Sequence, residues 1–421
     1  MRLDHLRLKN FRGFANFEVT LDPRMTVLVG DNAAGKTGLL EGAAVGLGGY
    51  LRGIRGAHDR HIRPVDVRRV VYEHGGLPDL QQQYPVEVSC RGTLDARAAA
   101  WTRTLTGPDG RTTRVRAKAI ENLASRLQDQ VRAGEPVGLP LLCYYGTQRL
   151  WLQHKETSAK ANIGTRTDGY LDCLDPASNH RHLTAWVRKQ ALVAAQTGVT
   201  LPHFAAIEIA VCDCLQGAAA FWYDLQHEEL RIRWQDGKLT SFDQLSDGYR
   251  NLVAMVADMA WRCAVLNPHL AADAARQTSG VVLIDEVDLH LHPRWQARVL
   301  DDLLRAFPLL QFVTTTHSPQ VIATCRPEWI RVLEQGRERP KSVAFVHGWD
   351  SNSVLRGVMD ADARPRFAQE RLEAVTLALT AKRWEDAEKL IVQLAQDLGP
   401  ADPEIVRAWL DLRFEKDMDD A

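Results

Sequence analysis

The stretch "VLVGDNAAGKTGLL" (residues 27–40) constrains the fold most, because an apolar run ends there in a glycine-rich turn that opens a helix. Its spacing is G-x-x-x-x-G-K-[ST], which in this context is typical of a loop that binds nucleotide phosphates. The glycines let backbone N–H groups curl round the phosphates, and the helix N-terminus adds positive potential. The predicted nucleotide-binding residues are Gly30, Asp31, Asn32, Ala33, Ala34, Gly35, Lys36 and Thr37.

Lys36 is expected to reach the terminal phosphates, and the Thr37 hydroxyl is expected to bind Mg²⁺. A loop of this kind also needs an acid for the metal and a group that orients the attacking water. The stretch "SGVVLIDEVDLHLHP" supplies both at the end of a buried strand. Asp285 is predicted to hold Mg²⁺ through its water shell, and Glu286 is the candidate base or water-positioning group. Without the phosphate loop, the same two acids would indicate only an acidic turn.

A third buried strand, "QFVTTT", ends beside His317, where a side chain could contact the transferred phosphate and the water. A histidine after a strand is, on its own, more typical of a cap or a core residue. A further helix start, "LSDGYRN" (residues 245–251), also leaves two interpretations open. Ser246 caps the helix, or this helix end is a second anion-binding site.

The ordered set "FRGF", "GDNAAGKT", "LSDGYR", "LIDEVDLHLHP" and "VTTTHSPQ" resembles the ABC-type ATPases of the SMC and RecF-like group, to which the OLD proteins are related. Within it, "YYGTQRLW", residues 166–179 and "GWDSNSVLRGVMD" look most similar to antiphage-defence ATPases of the Septu PtuA and retron-associated type. The resemblance implies an α/β fold. This fold is an ABC-type P-loop ATPase head with a mixed sheet flanked by helices, a large mainly helical insertion and a C-terminal helical segment.

The same resemblance implies roles for individual residues, with ATP as substrate and Mg²⁺ as cofactor. Glu286 and His317 would be catalytic, and Arg12 would contact the nucleotide. Asp288 would be the loop acid that faces an opposite subunit, and Gln148 is a candidate for the lid glutamine. The usual glutamine loop does not read "YGTQR", so this last match departs from the family pattern.

The resemblance also identifies "LSDGYR" as a signature motif that meets ATP held by a second subunit, through Ser246, Asp247 and Gly248. Two positions depart from the common form, which has glycine at the place of Asp247 and glutamine at the place of Tyr249. An acid near a phosphate repels it. Asp247 is therefore expected either to turn away along the helix or to tune the site toward weak dimerisation.

Hydrophobic periodicity and the positions of glycine and proline divide the chain into four parts. We expect helices at about 116–132, 180–197 and 203–226, a strand pair near 86–105, and two amphipathic helices over 366–415 that are broken at "LGPADPE". The predicted parts are an N-terminal piece of the head (1–50), an Arg-rich and mainly helical insertion or lid (51–240), the remainder of the head (241–350) and a C-terminal helical segment that is a candidate partner dock (351–421).

Charge and composition limit the partners. The formal net charge is −1, so no global field draws the protein to nucleic acid or a membrane. Two Arg-rich runs, within 52–69 and 103–118, fit either a solvated surface or one that meets DNA, RNA or an acidic partner. Seven cysteines without CxxC pairs indicate no disulfide framework, and no apolar stretch approaches bilayer length, so we expect a cytoplasmic location.

The leading hypothesis is an ATPase that dimerises, or forms a higher oligomer, through ATP and regulates an effector in antiphage defence. The effector is expected to be a nuclease, for example of the HNH type, because the residues after "THSPQ" read as helices and not as a nuclease domain. No guanine-reading N-K-x-D pattern occurs, which favours ATP over GTP. One alternative is a RecF-like DNA repair ATPase. The other is a transporter nucleotide-binding subunit, which the "FRGF" opening and the long span between loop and signature disfavour.

Overall fold

The computed structural model describes residues 1–75, 77–113, 115–147, 165–176, 180–198 and 202–419. A five-stranded parallel sheet lies at the centre of the fold, in the order β14-β3-β13-β12-β8. Every residue of its four longer strands is buried. The continuous apolar sequences of three of them, β3, β12 and β13, predicted this, whereas β8 was not predicted as a strand. Numbered in chain order, the five strands are β3 (Met25–Val29), β8 (Leu141–Tyr145), β12 (Gly280–Ile284), β13 (Leu310–Thr315) and β14 (Ile330–Val332).

The register of this sheet brings the separate motifs to one edge. Ile284 at the end of β12 pairs with Tyr145 of β8 and Thr314 of β13, while Thr315 pairs with Leu28 of β3. Because the strands are parallel, their carboxyl ends meet at the same edge of the sheet. The phosphate loop, the acids after β12 and the segment after β13 therefore lie side by side.

A four-stranded antiparallel sheet, in the order β2-β1-β6-β7, forms a second layer. Apolar side chains alternate with polar ones along its strands, so one face is buried and the other faces solvent. This confirms the predicted strand pair near 86–105, which joins two strands at the start of the chain. The strands are β1 (Arg2–Phe11), β2 (Phe14–Thr20), β6 (Val86–Leu94) and β7 (Arg97–Leu105).

Helix α1 (Lys36–Leu51) follows the phosphate loop and packs against both sheets, with all but one of its residues buried. Its glycines allow this close approach. A Cβ at Gly42 would stand 2.6 Å from a methyl carbon of Leu8, and one at Gly46 would overlap the sulfur of Cys90. The glycine-rich helix is therefore adapted to lie between two layers, at some cost in helix propensity.

The described part of the 51–240 segment contains both strands and helices, which corrects the expectation of a mainly helical insertion. Besides β6, β7 and β8 it forms a hairpin and a three-stranded sheet in the order β11-β10-β9. The remaining elements of this segment are β4 (Arg69–His74), β5 (Leu77–Gln82), β9 (Ala218–Asp224), β10 (Glu229–Trp234), β11 (Leu239–Ser241), α2 (Lys118–Arg132), α3 (His180–Thr197) and α4 (Pro202–Cys214).

The predicted helix at 203–226 is right only in its first half. Helix α4 ends at Cys214, the chain turns at Gly217 with a positive φ of 83°, and β9 follows. The Ala-rich start of β9 suits a helix as well as a strand. Pairing with β10, in which Phe221 lies opposite Ile232, decides for the strand.

The signature motif opens α5 (Asp247–Leu266), a long helix that is buried over most of its length. Four shorter helices complete this part of the chain: α6 (Ala274–Gln277), α7 (Pro293–Gln296), α8 (Val299–Ala306) and α9 (Pro319–Thr324). Among the described residues, no helix combines the length and the apolar character needed to span a bilayer.

Residues 352–421 form a compact unit of their own, separate from the unit of residues 1–351. Helix α10 (Ser351–Gly357) leads into α11 (Arg366–Thr380), α12 (Trp384–Leu398) and α13 (Pro403–Asp419). The last three share an apolar core that includes Val375, Ile391 and Ile405. Two helices were predicted over 366–415, but a further turn at 381–383, where Lys382 has a positive φ of 56°, makes three.

Candidate active site

The phosphate loop has the backbone that its glycines permit. Gly30 and Gly35 have φ values of 149° and 95°, and Gly35 is the N-cap residue of α1. A Cβ at Gly30 would overlap the carbonyl oxygen of Leu333, so only glycine fits this position. The first N–H groups of α1 therefore point out of a loop that bends tightly over the end of β3.

Lys36 lies across this loop, with 7% of its surface exposed. Its Nζ donates hydrogen bonds to the carbonyl oxygens of Gly30 (2.7 Å) and Asp31 (2.9 Å). Burial lowers the pKa of Lys36, although the charges of Asp285, Asp31 and Glu286 act in the opposite direction. An incompletely solvated cation held over the loop favours an anion such as a phosphate.

Thr37 and Asp285, which sequence analysis assigned to the metal, are in direct contact. The Thr37 hydroxyl donates to one carboxylate oxygen of Asp285 (2.8 Å), and the Thr315 hydroxyl donates to the other (2.6 Å). Asp285 is only 2% exposed. A hydroxyl and a carboxylate side by side are hard oxygen donors of the kind that Mg²⁺ prefers, so the residues fit this metal. Thr315 was not predicted, and its place at the end of β13 was the available signal.

Glu286 and Asp288 follow Asp285 in a tight turn. Glu286 has a positive φ of 49°, and its backbone N–H donates to the Thr315 hydroxyl (2.7 Å). Asp288 accepts a hydrogen bond from the Thr316 hydroxyl (2.6 Å), next to the half-buried His317. The Thr315 hydroxyl thus holds the backbone N–H of the candidate catalytic acid Glu286, and the Thr316 hydroxyl holds the carboxylate of Asp288.

Arg12 lies beside the first turn of α1, where its Cδ is 3.5 Å from the position of a Cβ at Gly38. Its Nε donates to Asp66 (2.9 Å), and its guanidinium is 3.5 Å from Glu41. Burial alone would raise the pKa of Asp66, but hydrogen bonds from Arg63 and the charges of Arg63 and Arg12 lower it overall. Arg12 is thereby held next to the phosphate loop by acids that sequence reasoning did not identify.

Several arginines of the Arg-rich runs form ion pairs with nearby acids. Arg60 pairs with Glu41, Arg63 pairs with both Glu41 and Asp66, and Arg103 pairs with Asp59 at 2.8 Å while being only 1% exposed. Arg103 is therefore part of the interior and of neither expected surface, whereas the Arg63 side chain stays 38% exposed. The ion pairs with Glu41 connect the segment after α1 to that helix.

The helix start at the signature differs from the phosphate loop in its contacts. Ser246 is the N-cap residue of α5 and is exposed, and its side chain makes no capping hydrogen bond. Asp247 is 68% exposed and forms an ion pair with Arg250 on the same helix. Tyr249 packs edge-on against Trp234 and Trp295, with ring centroids 6.1 and 4.6 Å away. A cleft of about 550 Å³ beside Ser246 is lined only by residues between 217 and 249.

Tyr145 connects β8 to the signature helix. Its hydroxyl donates to Asp258 (2.7 Å), which forms a buried ion pair with Arg262 (2.8 Å) on α5. Arg262 in turn donates to the carbonyl oxygens of Gly169 and Leu171. The candidate lid residue Gln148, three residues after Tyr145, lies outside the described residues.

Comparison with known families and proteins places two matches on the chain. A family model described as "AAA domain" matches residues 5–191, and one described as "AAA domain, putative AbiEii toxin, Type IV TA system" matches residues 227–323. The first contains the phosphate loop, and the second contains the signature, the acids after β12 and His317. Both matches are to AAA domains, which supports ATPase activity.

The chain is also similar to proteins of retron and Septu systems. The chain is 37% identical over 185 residues to "Retron Ec83 probable ATPase" of Escherichia coli, covering 41% of this chain and 34% of the relative. It is 37% identical over 100 residues to "Septu protein PtuA" of Bacillus mycoides (strain KBAB4), covering 24% of this chain and 13% of the relative. The matched part is thus about a third of the retron protein and less of the Septu protein.

Among solved structures, the SMC head bound to the C-winged helix domain of ScpA aligns with a TM-score of 0.48 and 15% identity, covering 82% of this chain and 98% of that chain. The predicted resemblance to ATPases of the retron-associated and Septu PtuA type is confirmed by these relatives and by the AAA-domain match.

Proposed function

We propose that this protein hydrolyses ATP with Mg²⁺, sandwiches the nucleotide between two copies of itself, and regulates an effector in bacterial antiphage defence. The observation that carries the proposal is the hydrogen-bonded set of Thr37, Asp285 and Thr315 next to the phosphate loop, with Glu286 directly after it. These are the donor types and the positions that phosphoryl transfer from a nucleotide requires.

The residues divide the chemistry among them. The N–H groups at the start of α1 and the Lys36 ammonium bind the phosphates, and Thr37 and Asp285 orient the metal. Mg²⁺, when bound, neutralises charge on the terminal phosphates. Glu286 orients the attacking water, and His317, half-buried after β13, contacts the transferred phosphate. Arg12 is held by Asp66 and Glu41 at the flank of the same loop.

The contrast between the two helix starts supports a site shared between copies. Ser246 is exposed at the positive end of α5, beside a cleft to which no residue of the phosphate loop contributes. A helix N-terminus that has no side-chain cap is suited to an anion. In the proposed assembly, Ser246 and Gly248 of one copy meet the ATP that is bound to the phosphate loop of the other.

The role in defence rests on the named relatives, which belong to retron and Septu systems. The proposed partner is an effector, for which an HNH-type nuclease is the leading candidate. The helical unit of residues 352–421 is the proposed dock for it, because it has a core of its own and leaves Leu377, Leu410 and Phe414 more than 60% exposed.

Glu286→Gln tests the enzymatic part. We expect ATP hydrolysis to fall by a factor of about 100 or more, since the water-orienting carboxylate is lost while the phosphate loop stays intact. Binding of ATP should persist, and size-exclusion chromatography with ATP should show a trapped dimer or larger assembly.

Glu370→Gln is the matched control, because Glu370 is 60% exposed and pairs with Arg366 on α11. It should leave hydrolysis and assembly unchanged. Hydrolysis at the parent rate by Glu286→Gln would contradict the catalytic assignment. A Glu286→Gln protein that binds ATP yet remains monomeric would contradict the site shared between two copies.

A further inference from the structure

The solvent-facing side of the antiparallel sheet borders a cleft of about 870 Å³. Its walls come from β1, β2 and β6 on one side and from the segment 327–344 around β14 on the other. None of its lining residues belongs to the phosphate loop, the signature or the acids after β12. The charged and titratable residues that line it are His5, Glu18, Arg91, Glu328, Arg331 and Arg339.

Arg331 is fixed in this cleft by backbone groups. Its Nε donates to the carbonyl oxygen of Thr20 (2.9 Å), and its Nη1 donates to those of Glu328 (2.7 Å) and Ile330 (2.8 Å). Carbonyl oxygens orient a guanidinium without neutralising it, and Nη2 lies outside these bonds. Burial lowers the pKa of Arg331, against the charge of Asp22. A bound anion would offset this incomplete solvation.

The pKa of His5 indicates a positive potential in the same cleft. Burial is the largest cause that lowers this pKa, and the charges of Arg91, Arg339 and Arg7 lower it further, whereas the charge of Glu18 raises it. Arg91 is the cross-strand partner of His5 in the register of β1 and β6 and is exposed. The Glu18 carboxylate contacts both Arg339 and His5, so it is shared between these two side chains.

We propose that this cleft is a second phosphate site, which binds a ligand with several linked phosphates. Three arginines, Arg91, Arg331 and Arg339, line it, and the planar fork of arginine suits phosphate oxygens. The volume exceeds that of a single phosphate ion and accommodates a short run of phosphodiester or phosphoanhydride groups. A nucleic-acid strand and a free oligophosphate share this chemistry.

The test uses the full-length protein, a fluorescently labelled short single-stranded oligonucleotide and, separately, inorganic tripolyphosphate. The tripolyphosphate titration is made in a Lys36→Ala background, so that the phosphate loop does not contribute. Arg91→Glu and Arg331→Gln should each weaken binding about tenfold, as expected for loss of a charge-assisted hydrogen bond. Binding should also weaken as the salt concentration rises.

Arg126→Glu is the matched control, because Arg126 is also an exposed arginine but lies on α2, where it pairs with Asp95. It should leave binding of both probes unchanged. ATP hydrolysis without oligonucleotide should be unaffected by Arg91→Glu, which separates this site from the ATPase site. Arg91 is exposed, so this variant is expected to keep the parent thermal unfolding midpoint even if Arg331→Gln does not.

The two probes distinguish the sources. Weaker oligonucleotide binding supports a nucleic-acid ligand, and weaker tripolyphosphate binding supports a free oligophosphate. Binding of either probe should also raise the pKa of His5. An NMR titration measures this pKa, and the His5→Gln variant identifies the His5 signal. If neither probe binds more weakly to Arg91→Glu than to Arg126→Glu, the second phosphate site is refuted.

Discussion

The phosphate loop and the signature both place a helix N-terminus where an anion can bind, but their surroundings differ. At the phosphate loop, Lys36, Thr37 and Asp285 are joined to backbone and side-chain partners within the same chain. At the signature, Ser246 and Asp247 face solvent. One half of the proposed ATP site is thus organised within a single copy, and the other half presents an open surface.

This difference suggests that the phosphate loop and the signature have different tasks. A site that must select and hold ATP benefits from preorganised donors in a partly dry environment. A surface that must engage and release a second copy benefits from exposure, because little has to be rearranged when the copies meet or part. Substitutions on the two sides should therefore fail in different ways.

The largest effect is expected for Lys36→Ala. Loss of the ammonium group that we propose to bind the terminal phosphates should lower ATP affinity by a factor of about 100 or more. Filter binding or calorimetry measures this, with Lys118→Ala, an exposed lysine at the start of α2, as the control. The fold should remain intact, since Lys36 is held in a desolvated position. Full ATP affinity in Lys36→Ala would refute the assignment of the phosphate loop.

A mixing experiment addresses the division directly. Lys36→Ala and Ser246→Arg should each be inactive alone, the first for lack of ATP and the second because a bulky cation blocks the signature. A mixed dimer keeps one intact phosphate loop opposite one intact signature. If the two shared sites are independent, an equimolar mixture should recover about a quarter of the parent hydrolysis rate. Recovery below a quarter would indicate that the two shared sites are coupled. Hydrolysis at the parent rate by Ser246→Arg alone would contradict a site shared between copies.

The smallest effect concerns Asp247, whose carboxylate is held by Arg250. This ion pair supports the first alternative for Asp247, in which its carboxylate lies along its own helix and is turned away from the phosphates. Arg250→Ala frees the carboxylate, so ATP-driven dimerisation should weaken by about threefold, a modest factor because both groups are exposed. Analytical ultracentrifugation measures it, and the further change Asp247→Asn should restore the parent value. An Arg250→Ala variant that dimerises like the parent would show that Asp247 does not act on the nucleotide.

The sequence predicted the location of motifs that each include the strand preceding them. The phosphate loop, Asp285 and Glu286 could be placed at one edge of the sheet, because parallel strands bring their carboxyl ends together. The roles of these residues stay predictions, and so do those of Gln148 and His317.

Other features depend on partners that are distant along the chain. The pairing of Arg60 and Arg63 with Glu41 and Asp66 has no signature in a single sequence, since a run of arginines looks the same whether it is solvated or neutralised. The strand β9 was taken for the end of a helix, because its Ala-rich start carries no local preference and only β10 fixes it. Tertiary pairing outweighed local propensity at both places.

The packing of Gly248 has a consequence for communication between the two proposed ATP sites. A Cβ at this position would overlap the carbonyl oxygen of His290 and lie 3.3 Å from the Cα of Leu291, so the signature helix rests directly on the backbone that follows Glu286 and Asp288. No flexible side chain lies between them to absorb a displacement. In a two-copy assembly, a shift of the turn that attends one ATP would therefore be passed to the surface that grips the other ATP, which makes the two hydrolysis events mechanically interdependent.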